Sequence, residues 1–352
     1  MAGFNTGVAY SKLFNVVDPK VLEPKKEDLQ GRKMFKINTL SDPWALTYEW
    51  SWKEIMGQSS GYADRATDIT VTDVSYHNEI GYIAERTAAF EYSQADLERA
   101  NTGGRNLDIV TDRAVATHDA LANWEDALIF NGNGDDRHPI YGLTTDANKA
   151  GYQTIDDPSV TLQKVVDPTN ENAFSDAYKI VNYFMDAAAK ITMLPGYHNV
   201  KPYLALAPKE YDLLTRPLVN QYNPDKTLWN MIQRGGNNGE NVFAGIRPIT
   251  ELEAQYWNSK TGKDGKKDMA IVYLDTPDVA QIQVAMEPRR YGQAIASADN
   301  GLSYKQMYIE RTGGLSVKFP AGIVQLAGLN DGSEKWAKSK ADAKAESAKK
   351  SN

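Results

Sequence analysis

The side chains that could perform chemistry in this chain are few and scattered. General bases and metal ligands are mostly histidines and carboxylates. The four histidines lie far apart, and two adjacent acidic pairs fall in turn-rich segments: His77, His118, His138, His198, Asp135-Asp136 and Asp156-Asp157. Adjacent aspartates of this kind most often form turns. We therefore expect no catalytic residue, no metal site and no cofactor.

Sequence motifs give the same answer. There is no GxSxG nucleophile elbow, because the string GQSSG at 57–61 lies in a Gly/Ser/Asp-rich tip between two β-rich runs and does not join a strand to a helix. There is no Walker-type phosphate loop or HExxH, and no GxGxxG follows a predicted strand. Cysteine is absent, which excludes disulfides, thiolate metal sites and a cysteine nucleophile. The Asn/Asp-rich loop at 131–150 lacks the glutamate that completes a calcium loop. A cytoplasmic α/β enzyme, such as a carboxylate-based hydrolase, stays open as an alternative.

Composition and charge bound the remaining possibilities. The chain has 352 residues, 41% of them hydrophobic, and a formal net charge of −7. Tight nucleic-acid binding needs clustered Lys and Arg, so this balance argues against it. The longest weakly polar run, near 319–329, is too short to cross a bilayer. The N-terminus does not resemble a signal peptide, so we expect synthesis in the cytoplasm and no membrane segment.

Residues 44–90 contain the clearest strand signal. From Trp44 to Trp52 the sequence alternates, which places Trp44, Tyr48, Trp50 and Trp52 on one face of a strand. A Gly/Ser/Asp-rich tip at 57–68 and a second β-rich run at 69–83 follow it. Together they predict a hairpin of about 40 residues that could reach roughly 50 Å. It is either two strands of an ordinary sandwich or an arm that packs on a neighbouring subunit.

Residues 107–130 give the clearest helix signal. Apolar residues recur at spacings of three and four, and Leu121, Trp124 and Leu128 are predicted to anchor the helix in the core. Asn106 is a plausible N-cap, and Asn131-Gly132 is a typical end. Twenty-four residues make a rod of about 36 Å. Residues 1–43 before the hairpin predict an extended arm, and later segments predict a mixed α/β domain.

Two stretches carry a resemblance to a known family. The first is FEYSQADLERANTGGRNLDIVTDRAVATHDALANWEDALIFNG with the following IYGLTT, within 90–145, and the second is YKQMYIERTGGLSVKFPAGIVQLAGL at 304–329. The order of the parts resembles the major capsid proteins of tailed bacteriophages, which have the Hong Kong 97-type fold. The segment EDALIFNG also resembles encapsulin shells, which share this fold.

The resemblance implies an α+β, Hong Kong 97-like fold with a defined division of the chain. The implied parts are an N-terminal arm at 1–45, an extended hairpin (the E-loop) at 46–90, a peripheral domain at 91–150 with its spine helix at 107–130, an axial domain at 151–290, peripheral return strands at 291–330, and a flexible tail at 331–352. We expect Gly313-Gly314 to form a turn between two strands.

The resemblance also implies a function. It is that of a structural protein that assembles with copies of itself, as hexamers and pentamers, into the icosahedral head of a virion around double-stranded DNA. Scaffolding, portal or decoration proteins are the implied partners, and an encapsulin-like nanocompartment is the alternative. Asp64 and Arg65 at the hairpin tip are candidates for contacts between capsomers, together with the tryptophan face.

Overall fold

The structure is a computed structural model of the chain. It describes residues 29–56, 73–102, 108–167, 170–218, 227–233, 241–253, 268–296, 302–327 and 329. The helices are α1 (Gly31–Met34), α2 (Gln94–Thr102), α3 (Ile109–Asn131), α4 (Asp146–Lys149), α5 (Leu162–Val166), α6 (Ala173–Thr192), α7 (Pro208–Thr215) and α8 (Leu228–Gln233). The strands are β1 (Lys36–Thr39), β2 (Thr47–Met56), β3 (Asp73–Tyr82), β4 (Ala84–Ser93), β5 (Gln153–Thr154), β6 (Tyr203–Leu206), β7 (Gly245–Pro248), β8 (Ala270–Tyr273), β9 (Ala280–Ala296), β10 (Ser303–Val317) and β11 (Ile323–Leu326).

The strands form three sheets. A four-stranded sheet has the order β1-β9-β10-β4, with β1 parallel to β9 and the other pairs antiparallel. A five-stranded sheet has the order β5-β11-β8-β6-β7. Within the part of the chain that the structure describes, strands β2 and β3 pair only with each other, as an antiparallel hairpin. The described part of the long predicted hairpin therefore forms a sheet of its own, with no strand pairing to either larger sheet.

Helix α3 packs on the four-stranded sheet. It begins after Asp108, whose side chain accepts hydrogen bonds from the backbone N–H of Thr111 at 3.1 Å and its hydroxyl at 2.6 Å. Such a cap satisfies a donor at the exposed helix start, so Asp108 is the N-cap rather than the predicted Asn106, which lies outside the described residues. The helix ends at Asn131, where Gly132 has a φ of 67°.

The first described residues differ from the extended arm predicted at 1–45. Gly31 begins the helical turn α1 and donates its backbone N–H to Asp126 Oδ1 at 2.7 Å. Met34 and Phe35 are buried, and β1 then adds a parallel strand to β9. Apolar burial and strand pairing therefore make residues 29–39 part of the core.

The five-stranded sheet has its own buried layer. Strand β8 is buried along its whole length, as expected for a continuous apolar run in a central strand. Helix α6 packs beside it with Ile180, Phe184 and Ile191 fully buried. These contacts build a second unit around the middle of the chain.

Three boundaries predicted from the sequence need correction. Strand β4 pairs with β10, so the hairpin ends at Tyr82 and not at residue 90. The boundary at 290 falls inside β9, and β11 joins the five-stranded sheet instead of returning to the other one. Gly313-Gly314 is no turn, because β10 continues through it with register shifts, and Gly314 adopts a left-handed φ of 65°. Such a glycine bulge bends a strand without ending it.

Candidate assembly interface

The β2–β3 hairpin has one tryptophan-bearing face. Tyr48, Trp50 and Trp52 alternate along β2, and their partners across the hairpin are Gly81, Glu79 and His77. The rings of Trp52 and His77 stack with centroids 4.3 Å apart. The Trp52 residue is still 44% exposed. This face therefore offers aromatic surface that its own subunit does not cover.

The opposite face of the hairpin is also apolar. Val74, Tyr76 and Ile80 lie on it and are 38%, 73% and 65% exposed. Isolated two-stranded hairpins are marginally stable in water, and exposed apolar patches mark interaction surfaces. A hairpin with two exposed apolar faces is suited to lie between partner surfaces.

The base of the hairpin is locked into the four-stranded sheet through Tyr48. Its ring lies against Gly81 and Gly313, where an added Cβ would come within 2.2 Å of Tyr48 Cζ and 2.7 Å of Tyr48 Cε1 respectively. Burial raises the pKa of the Tyr48 hydroxyl, and its hydrogen bond with Ser316 acts in the opposite direction. The two glycines make the slot that fixes the direction in which the hairpin leaves the subunit.

A buried arginine holds the chain that enters the hairpin. Arg311 is 2% exposed, and its Nη1 donates to the carbonyl oxygen of Pro43 at 2.6 Å. Its guanidinium carbon lies 5.3 Å from the centroid of the Trp44 ring. Glu85 supplies the countercharge, with an Nε–Oε2 distance of 3.2 Å. The Arg-Thr-Gly-Gly segment thus anchors both sides of the hairpin base.

A cluster of charges joins the N-terminal segment to α3 and the sheet. Arg32 hydrogen-bonds Glu125 through Nε at 2.5 Å and Nη2 at 3.0 Å, and it also hydrogen-bonds Glu287. Glu310 is fully buried 3.8 Å from Arg32. Burial, together with the charges of Glu125 and Glu287, raises the pKa of Glu310 to about 8 against the opposing effect of Arg32. Glu310 is therefore largely protonated at neutral pH.

The described residues lack the features of two other kinds of site. The described part of the chain holds no group of three or more histidine or acidic side chains arranged for a metal ion. None of its helices combines the length and the apolar character needed to cross a membrane. The hairpin and its base are thus the most distinctive candidate for a functional site.

Solved structures with a similar fold include capsids of a phage and of GTA particles. The capsid of Myoviridae phage XM1 matches with a TM-score of 0.64 at 11% identity, over 91% of this chain and 98% of that one. The capsid of an empty GTA particle matches with a TM-score of 0.56 at 15% identity, over 92% of this chain and 99% of that one. A structure of Mycobacterium phage Bobi matches with a TM-score of 0.57 at 11% identity, over 93% of this chain and 99% of that one. No curated protein matches the sequence.

The sequence itself decides the family. The model of the family described as "Major capsid protein" matches residues 57–329. The chain belongs to the major capsid protein family. The α+β capsid fold and the structural, shell-forming role predicted from the sequence are thereby confirmed, and the tailed-phage resemblance holds.

The interface residues predicted for this major capsid protein have different positions. Trp44 is 49% exposed, with its ring 6.1 Å from that of Tyr291, while Tyr48 lies inside the hairpin base. Trp50 is half-buried and Trp52 is exposed. Asp64 and Arg65 lie outside the described residues. The structure thus brings Trp44 and Tyr48 to the base and leaves Trp52 further along the hairpin.

The spine-helix residues of the capsid protein divide in a similar way. Leu121 and Leu128 are buried against the sheet, at 1% and 2% exposure. Trp124 is only half-buried, and the guanidinium carbon of Arg86 lies 5.8 Å from its ring centroid. Trp124 therefore lies at the edge of the helix–sheet contact rather than in its centre.

Sequence reasoning missed Arg311 and the second hairpin face. A lone arginine in an alternating strand gives no signal of burial, because arginine is almost always exposed. The second hairpin face could have been predicted, because Val74, Tyr76 and Ile80 are separated by even numbers of residues and so lie on one face of a strand. The predicted contact surface was instead the opposite face, which carries the tryptophans of the first strand.

Proposed function

We propose that this major capsid protein assembles with copies of itself, as hexamers and pentamers, into the icosahedral head shell of a tailed phage. The shell encloses double-stranded DNA without sequence-specific binding. The observation that carries the proposal is the β2–β3 hairpin, which exposes Trp52 on one face and Tyr76 and Ile80 on the other. The rigid base around Tyr48 and Arg311 supports it, because a fixed exit direction lets every copy meet its neighbour alike.

The two larger sheets have distinct roles in this proposal. The four-stranded sheet with α3 corresponds to the peripheral domain, and the five-stranded sheet with α6 to the axial domain. The hairpin, from 46 to 82, is the E-loop. The comparison with capsids of GTA particles supports self-assembly, and scaffolding, portal or decoration proteins are further partners in the host cytoplasm and the virion. The protein has a structural role and carries out no catalysis.

The net charge of −7 fits a container for DNA. Weak contact between an acidic wall and an acidic genome leaves the DNA free to be packaged and ejected. Phosphate-binding Lys and Arg clusters would instead hold the genome to the wall.

Electron microscopy of the purified full chain examines this proposal directly. We expect uniform closed shells tens of nanometres across, and double-stranded DNA in particles purified from infected cells. A chain that stays monomeric or dimeric, even with a scaffolding protein supplied, contradicts the shell. Protein cargo without nucleic acid in native particles would indicate a nanocompartment instead. Deleting residues 54–70 should leave a folded subunit that forms no shell, whereas global unfolding would contradict the projecting hairpin.

A further inference from the structure

A cleft of about 330 Å³ lies where several parts of the chain meet. Helix α3 lines one side of it, β9 and β10 contribute residues from the four-stranded sheet, and the first described residues, with α1, line the rest. Clefts that bind small molecules span about 300–1,000 Å³. This cleft is therefore large enough for a small ligand, and its charged lining indicates the chemistry of that ligand.

Acidic side chains outnumber basic ones in the cleft. The acidic lining residues are Asp119, Glu125, Asp126, Glu287 and Glu310, and the basic ones are Arg32 and Lys33, with His118 beside them. Arg86 pairs with Glu310 across β4 and β10, so both lie on the same face of the sheet. The guanidinium of Arg86, however, lies over the ring of Trp124. The lining thus has an excess of negative charge and favours a cation.

Arg32 leaves part of this negative charge uncompensated. Its Nε and Nη2 donate to Glu125, and its Nη1 and Nη2 donate to Glu287. The distance from Nη2 to Glu310 Oε1 is 3.8 Å, which is too long for a hydrogen bond. One guanidinium therefore serves two carboxylates and leaves the third without a donor.

Glu310 lines the cleft and is itself unsatisfied. It has 0% exposure, and neither of its carboxyl oxygens has a hydrogen-bond partner among the described residues. A buried acceptor without a donor costs free energy. Burial, together with the charges of Glu125 and Glu287, raises the pKa of Glu310 to about 8. At neutral pH the carboxyl therefore keeps its proton unless a cation replaces it.

The rest of the lining selects the kind of cation. Leu29, Ala122, Ile129 and Pro288 supply apolar surface beside the carboxylates. The part of the chain that the structure describes holds no group of three or more side chains arranged for a metal ion. An alkylammonium ion offers three N–H donors and no acceptor at the end of an apolar stem. It therefore matches both the carboxylates and the apolar wall.

We propose that this cleft binds an alkylammonium ion, whose N–H groups donate to Glu310 while its stem lies against Ala122 and Ile129. The ion is either a free aliphatic amine or the lysine side chain of a second copy of the chain. Binding displaces the proton of Glu310 to the solvent. The bound cation then joins β10 to α3. The cleft is complete within one subunit, so its test does not depend on shell assembly.

Calorimetric titration of the full-length, unassembled subunit with 1,4-diaminobutane tests the site. We expect one diamine per chain and tighter binding at pH 8.5 than at pH 6.5, because protonated Glu310 must first lose its proton. At pH 7, titrations in buffers of different ionisation enthalpy should show the release of up to about one proton. Tetramethylammonium at equal ionic strength has no N–H group and should not bind. Absence of diamine binding, or equal binding of the two cations, would overturn the proposal.

Variants of the lining locate the site. Glu310→Gln keeps the shape of the side chain and removes its charge, so it should weaken diamine binding by about tenfold or more and abolish proton release. Glu171→Gln, at an exposed position before α6, is the matched control and should bind as the wild type does. Ala122→Lys supplies an ammonium group from α3 itself and should remove diamine binding. Unchanged affinity in Glu310→Gln or in Ala122→Lys contradicts binding in this cleft.

The concentration of the subunit separates the two sources of the ammonium group. Where a lysine of a second copy competes for the cleft, the apparent affinity for the diamine weakens as the subunit concentration rises. Size-exclusion chromatography should then show dimers of the wild type but not of Glu310→Gln. An affinity that does not depend on subunit concentration assigns the cleft to a free aliphatic amine.

Discussion

Arg311 Nη1 donates a hydrogen bond of 2.6 Å to the carbonyl oxygen of Pro43, 268 residues earlier in the chain. The contact joins a central strand of the four-stranded sheet to the chain just before the hairpin. Trp44, the next residue, lies over the same guanidinium. One side chain therefore sets where the hairpin begins, although it lies outside the hairpin.

Replacing Arg311 should destabilise the subunit and its hairpin base. Arg311→Met loses the hydrogen bond to Pro43 and leaves Glu85 without its partner, so we expect a loss of about 2–3 kcal/mol in the free energy of unfolding. Urea unfolding of the unassembled subunit measures it. Arg86→Met is the control, since this exposed arginine contributes only about 0.5–1 kcal/mol through Trp124. Equal losses in the two variants would contradict a special role for Arg311.

The slot around Tyr48 makes a prediction that a double substitution can isolate. Gly81→Ala would place a methyl group 2.2 Å from Tyr48 Cζ, and such overpacking costs about 1–3 kcal/mol. Tyr48→Ala removes the ring and with it the clash. In the double variant the effect of Gly81→Ala should therefore shrink by more than 1 kcal/mol, a coupling expected only for residues in contact. Additive losses would show that the ring can move aside.

Local patterns predicted the hairpin and the spine helix because their periods of two and about 3.6 are written in neighbouring residues. The pairing of β1 with β9 and the transfer of β11 to the other sheet depend on contacts between residues far apart, which no local period records. The conformation of Gly313-Gly314 could not be predicted from local sequence either. Two glycines permit a turn or a bulge equally, and only the continuing pairing of β10 with β9 decides for a bulge.

Glu310 should make the stability of the subunit depend on pH. Its pKa is about 8 in the folded state against 4.5 as the ordinary value, so the folded state binds more protons between these limits. Stability should therefore fall as the pH rises from about 5 to 9, by about 2–4 kcal/mol. Arg32, Glu125 and Glu287 face the same carboxyl and share in the transition.

Substitution of Glu310 separates its contribution from that of its neighbours. Glu310→Gln removes the titrating carboxyl, so most of the loss of stability between pH 5 and 9 should disappear, while Glu49→Gln on the exposed hairpin should follow the wild type. Urea unfolding of each at pH 6, 7, 8 and 9 gives the comparison. If the free energy of unfolding of Glu310→Gln falls with pH as steeply as that of the wild type, the pH dependence belongs to other groups.

The second face of the hairpin leads to a prediction about assembly alone. Ile80 is 65% exposed in the subunit, so Ile80→Asp should change the free energy of unfolding by less than about 0.5 kcal/mol. At an interface between subunits, however, the same carboxylate would be buried without a partner, and this cost is several kcal/mol per copy. Because every copy in a shell repeats the defect, closed particles should be lost while the monomer stays folded.

Met193→Asp is the control, since Met193 is 74% exposed and lies at the end of α6, away from the hairpin. Size-exclusion chromatography and electron microscopy then distinguish the cases. Normal shells from Ile80→Asp would show that this face is open to solvent in the capsid, and the tryptophan face would then carry the contact by itself.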